Sequence, residues 1–158
     1  MKREITEKPL TSLSMALGAG VLAGIAGTAA ITISQLVEMS ITKRSPSTTP
    51  VKAVSKVLNV KPTRKDKNEK VSQEIHWTYG TAWGIPRGIL GLTGLTGWPA
   101  TLLHFAAIWA TELTMLPSLD VAPPITEEKP KDVAIDALHH AVYAVAAGLV
   151  YDAIANEV

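Results

Sequence analysis

The 158-residue chain has no cysteine, a single phenylalanine and few charges. Without cysteine there are no disulfides, no thiolate metal ligands and no thiol nucleophile. Charged residues make up 18 %, where a soluble domain usually carries about 25 %. The net charge of +1 leaves no basic footprint for nucleic acid. No Gly-x-Ser-x-Gly or His-Glu-x-x-His occurs, so neither hydrolase nor zinc-protease chemistry has a motif. No Gly-Lys-Ser/Thr follows the glycines, which excludes a phosphate loop. The expectation is a protein that is not an enzyme. Aromatic residues are only 5 %, so Ala, Val, Leu, Ile and Gly produce the positive mean hydropathy of +0.20.

The charges that exist are clustered. Pro9 to Val37 is 29 residues without one, Arg87 and Glu112 bracket 24 more, and Asp136 and Asp152 bracket 15. A bilayer core about 30 Å thick needs roughly 20 apolar residues per helix. Four spans are predicted, at 13–37, 75–93, 98–116 and 134–155, each helical because lipid offers backbone groups no other partner. The chain then reads as one all-α domain, an integral membrane four-helix bundle. A signal peptide over the first span is disfavoured by its length and the lack of a small-x-small cleavage site. A soluble bundle is disfavoured because spans one and three have no charged face.

Nine Lys or Arg lie in 38–74, and Lys129 and Lys131 lie in the Pro-rich loop 117–133. Four spans put these loops on one side, with eleven basic residues against Lys2, Arg3 and Lys8 on the other. The positive-inside rule then makes both loops cytoplasmic and both termini external. Within the basic loop, 51–58 predicts a short amphipathic helix, capped by Thr49 with Pro50 in its first turn. Its expected apolar face is Val51, Val54, Val57 and Leu58, opposite Lys52, Ser55, Lys56 and Asn59. Lys52 and Lys56 are expected to meet anionic lipid at the interface. Residues 61–74 read as charged and mobile, and 117–133 as stiff and non-helical.

Gly20, Gly24 and Gly27 line one face of the first span, followed by Ile31, Ser34 and Glu38. Gly80, Gly84 and Gly88 do the same in the second. Small residues four apart let helices approach closely in lipid. Pro86 should kink the second span, and Trp77, Trp98 and Tyr151 should sit near helix ends as interfacial aromatics.

Ionisable residues within spans are expensive and turn inward. Glu38, His76, Glu112, Asp136, His139 and His140 fall at the cytoplasmic ends of the four spans, and Tyr143 shares a face with Asp136 and His140. Arg87, His104 and Asp152 lie deeper and are candidates for ion pairing, with Asp152, Glu112 or helix ends as partners for Arg87. On an ideal wheel His76 falls about 20° from Arg87, whereas Asp152 falls about 160° from Asp136. Three chemistries use such residues: a structural polar network, a proton or ion path, and a metal site at His76, Glu112 and His140. A bis-histidine haem between His76 and His139 or His140 is a variant of the last. The adjacent histidines point about 100° apart, so one ion does not readily take both. The leading reading requires no cofactor.

The order of these features resembles the YagU-type bacterial inner-membrane proteins. It rests on a glycine-rich first span ending in Glu38, then Lys43-Arg44-Ser45-Pro46, Leu119-Asp-Val-Ala-Pro123-Pro124, and Asp136-x-x-His139-His140-Ala-Val-Tyr143. The long lysine-rich first loop departs from that layout. The resemblance implies a multi-pass inner-membrane location and carries over no catalytic residue. The expected role is a non-enzymatic accessory subunit or small transport-related protein, acting as a homo-oligomer or within a larger membrane complex. Proton or ion handling and metal or haem binding are the alternatives.

Overall fold

The computed structural model describes residues 9–61 and 65–157, with side-chain surroundings for 12–61 and 68–156. Lys2, Arg3, Lys8 and Arg64, which enter the charge bias, lie outside them, as do the side chains of Lys65 and Lys67. Six helices follow in order: α1 Pro9–Thr42, α2 Thr49–Val57, α3 Lys65–Ala82, α4 Gly84–Leu92, α5 Gly97–Ser118 and α6 Pro130–Glu157. No strand occurs among the described residues. α1 packs on α6, α4 and α3, and α5 packs chiefly on α6.

α1 has 34 residues and α6 has 28, about 51 Å and 42 Å at 1.5 Å per residue. Both are long and apolar enough to cross a membrane, over Ser12–Thr42 and Pro130–Asn156. The expected second and third spans do not reach that mark. α3 opens on the charged run Lys65-Asp-Lys-Asn-Glu-Lys70, and α5 carries Trp, His, Glu and two prolines among its apolar residues.

The second span is not one kinked helix but two. Pro86 has no N–H for the carbonyl four residues back, and its ring crowds that carbonyl. The helix therefore stops at Ala82 and restarts at Gly84, three residues before the position where the sequence places the kink. α3 also begins earlier than expected, so most of 61–74 is helical rather than mobile. Packing explains it: α2 lies on α3, where Val51 N–H donates to the buried Ser72 Oγ at 3.4 Å.

That packing also rotates α2 from its expected face. Val51, Ala53 and Ser55 are buried, whereas Val57 and Leu58 are exposed. The N-cap is Thr48 rather than Thr49, and its side chain makes no capping bond. Ser47 Oγ instead accepts the Thr49 N–H at 3.1 Å. Pro50 occupies the first turn. In the Pro-rich loop, Pro117 and Ser118 still belong to α5, because proline in a last turn forfeits only one hydrogen bond. Asp120 then takes a left-handed φ of 54°, and the Val121 N–H returns to the Leu116 carbonyl at 3.0 Å. Pro130 opens α6 four residues before the predicted span. Lys56 Nζ lies 3.6 Å from Asp120, which puts both loops at the same end.

The glycines make α1 and the broken helix meet backbone to backbone. A Cβ on Gly20 or Gly24 would strike Gly84 or Thr81, one on Gly84 would strike Gly20, and one on Gly88 would strike Ala16. Gly80 lies against Thr28, and Gly27 against the Tyr143 ring. The apolar core combines three alanines, Ala19, Ala23 and Ala147, with Ile31, Ile108, Tyr143 and Tyr151. Tyr151 is therefore buried rather than interfacial, while Trp77 and Trp98 are exposed.

Candidate functional site

Two polar clusters lie inside the bundle. The first is at the end carrying the large loops. Asp136 and His140 are one turn apart on α6, and Glu112 faces them from α5. His140 Nε2 is 2.6 Å from Glu112 Oε2. The other ring nitrogen, Nδ1, is 2.9 Å from the Asp136 backbone oxygen and 3.5 Å from its carboxylate. Trp109 Nε1–H donates to the second Asp136 oxygen at 2.8 Å. A backbone carbonyl only accepts, so Nδ1 carries a hydrogen. Nε2 and Glu112 then share one more proton, as imidazolium and carboxylate or as imidazole and carboxylic acid.

Of the other residues expected in this cluster, none makes a hydrogen bond with it. His76 Nε2 meets Thr32 Oγ1 at 3.4 Å, although it still interacts electrostatically with His140 and Glu112. His139 turns to α1, where Nδ1 bonds Ser34 Oγ at 2.8 Å, and its buried Nε2 has no partner. Tyr143 lies deeper and donates to the Gly80 carbonyl at 2.6 Å. Glu38 is held instead by Arg44 at 2.8 Å and Thr42 at 2.8 Å, and keeps an electrostatic interaction with His139. The chain turns just after α1, which brings Arg44 back to it. The three groups placed as metal ligands are Glu112, Asp136 and His140, their ligand atoms within 4.8 Å of one another. Asp136 thus replaces His76 in the set expected from sequence. A haem between His76 and His139 or His140 gains no support, since each ring is turned to a different neighbour.

The second cluster surrounds the helix break. His104 Nε2–H donates to the Trp83 carbonyl at 2.8 Å, so His104 supports the break and makes no ion pair. With the Tyr143 bond to the Gly80 carbonyl, side chains of α5 and α6 thus reach backbone carbonyls beside the break. Arg87, wholly buried, pairs with Asp152 at 2.5 Å. Its guanidinium carbon sits 4.3 Å from the centre of the Tyr151 ring. Asp136 and Asp152 both face protein despite pointing to opposite sides of α6, because α5 lies on one side and α4 on the other. His76 meets Thr32 on α1 and Arg87 pairs with Asp152 on α6, so the two residues that a continuous wheel puts on one face have different partners.

Trp109, Tyr151, Ser34 and Thr32 complete these clusters; the sequence places Tyr151 and Ser34 in other roles and does not single out Trp109 or Thr32. Trp109 was readable: it lies three residues before Glu112, hence on its face. Comparison with known families, characterised proteins and solved structures gives no match to this chain.

Proposed function

We propose that the chain is a four-span bacterial inner-membrane protein, a non-enzymatic accessory subunit or small transport-related protein resembling the YagU type, with both termini outside. One observation carries the membrane reading. Beside a core of alanines and a few larger apolar residues, the largest wholly buried side chains are polar or charged: Arg87, His104, Thr28 and Ser72. Meanwhile Leu22, Ile33, Leu36, Ile41, Leu102 and Leu149 are 54–74 % exposed. Soluble monomers rarely expose so continuous an apolar surface, whereas lipid accepts it. The threonines agree, since Thr28, Thr32, Thr111 and Thr114 bond carbonyls of their own helices.

α5 also leaves a face of small residues exposed, Ala107, Ala110 and Thr114, which suits a second helix. That favours a subunit, in a homo-oligomer or a larger complex. Lys52 faces outward at the loop end, where anionic lipid is the expected contact; Lys56 is shared with Asp120. The shared proton between Glu112 and His140 favours a second reading, proton or ion handling. Neither the cavity at Thr101 and Asp152 nor the one at Val54 and Tyr79 is lined by these residues.

Alkaline carbonate washing of membranes tests the principal reading. The protein should stay in the pellet until detergent is added; release by carbonate alone defeats it. For the second reading, pH-driven flux in liposomes should vanish in His140→Ala, and unchanged flux rejects it.

A further inference from the structure

We propose that Glu112, Asp136 and His140 bind one divalent transition-metal ion of the zinc type. The proposal rests on reading this cluster as a protein-facing polar site. It is testable in detergent, apart from membrane insertion.

The donor set is one imidazole and two carboxylates, which suits a borderline ion such as zinc. Around a tetrahedral ion with bonds of about 2.0–2.1 Å, ligand atoms sit about 3.3 Å apart. The present separation of Glu112 from His140 is 2.6 Å, so the pair opens by less than 1 Å and Asp136 closes from within 4.8 Å.

The surrounding bonds prepare these atoms for an ion. Metal-binding histidines commonly donate their other ring N–H to a carbonyl or carboxylate, which fixes the tautomer. Here Nδ1 donates to the Asp136 carbonyl at 2.9 Å and aims Nε2 at Glu112. Trp109, outside the cluster, holds one Asp136 oxygen and leaves the other for the ion. Among the described residues no Lys or Arg pairs with either carboxylate, although two negative groups face one imidazole. A proton or a cation must offset that charge. Glu112 and Asp136 are 30 % and 39 % exposed, so an ion and its remaining waters can enter from the loop end.

Binding would displace the proton shared by Glu112 and His140. Affinity should therefore fall as pH drops, and roughly tenfold per unit once His140 is protonated. The titratable groups around His140 are Asp136 and His139 on α6, Glu112 on α5 and His76 on α3.

The test is equilibrium dialysis of tag-free protein in detergent against Zn²⁺, with Co²⁺ as an absorbing substitute. One ion per chain is expected. Glu112→Gln and His140→Gln should each weaken binding by tenfold or more, and Trp109→Phe by roughly 10–100-fold. Glu127→Gln, in the exposed loop, should match the parent. Absence of saturable binding by the parent overturns the proposal. So does parental affinity in both Glu112→Gln and His140→Gln, or an affinity of the parent that is constant from pH 5 to 8. The first and third of these outcomes use the unaltered chain, so a variant that fails to fold does not shelter the idea.

Discussion

Replacing Asp152 by alanine should strand a wholly buried guanidinium. Arg87 is 0 % exposed, Asp152 is 24 % exposed, and they pair at 2.5 Å. Two of the guanidinium nitrogens, Nε and Nη1, already lack a partner. Only the Tyr151 ring remains beside the charge. Breaking a buried pair by removing one partner costs about 3–5 kcal/mol, roughly two to three and a half powers of ten in the folding constant. Arg87→Met should cost less, about 1–3 kcal/mol, because the remaining carboxylate is partly exposed and can take a proton or water. Arg87→Met with Asp152→Ala should be more stable than Asp152→Ala alone, since neither charge is left unpaired. The assay is reversible unfolding in mixed micelles, followed by helicity and analysed as a double-mutant cycle. Asp152→Ala within 0.5 kcal/mol of the parent refutes the reasoning. So does a double variant as unstable as the sum of the singles.

Other perturbations address separate joints of the structure. Gly84→Leu should block the approach of α1 to α4 and abolish folding, whereas Gly18→Ala, with open space around it, should be neutral or stabilising; equal effects in thermal melts contradict the packing. Tyr143→Phe should cost about 1 kcal/mol by leaving the Gly80 carbonyl short of a donor, read by the same unfolding assay. Single cysteines are clean probes here because the chain has none. Glu127→Cys in intact cells should resist an impermeant thiol reagent and Thr96→Cys should react; the reverse inverts the proposed orientation.

Much of the helical plan was legible because charge is so unevenly placed. The charge-free runs marked α1, α5 and α6, and the four-residue spacing of glycines pointed to the faces where α1 meets α3 and α4. Ends were harder. Whether 65–74 is helical depends on α2 resting on Ser72, a contact between segments that local composition does not encode. The wheel put His76 on the face of Arg87, but His76 meets Thr32 on α1 whereas Arg87 pairs with Asp152 on α6. Asp136 and Asp152 looked incompatible on one helix until α6 was seen to have protein on both sides. Glu38 was drawn toward the cluster by its depth and its place on the glycine face of the first span, but Arg44 six residues later binds it instead. The cluster itself, Glu112 with Asp136 and His140, was within reach of residue depth and the four-residue step, but Trp109 was not singled out.

The account turns on which solvent the outward leucines and isoleucines meet. Spin labels on cysteines introduced at Leu22, Ile33, Leu102 and Leu149, in protein reconstituted into vesicles, report that contact directly. The expected signal is strong relaxation by dissolved oxygen and little by a water-soluble nickel complex. Ready relaxation by nickel at these four positions would mean that water lies against them, and the membrane reading would be wrong.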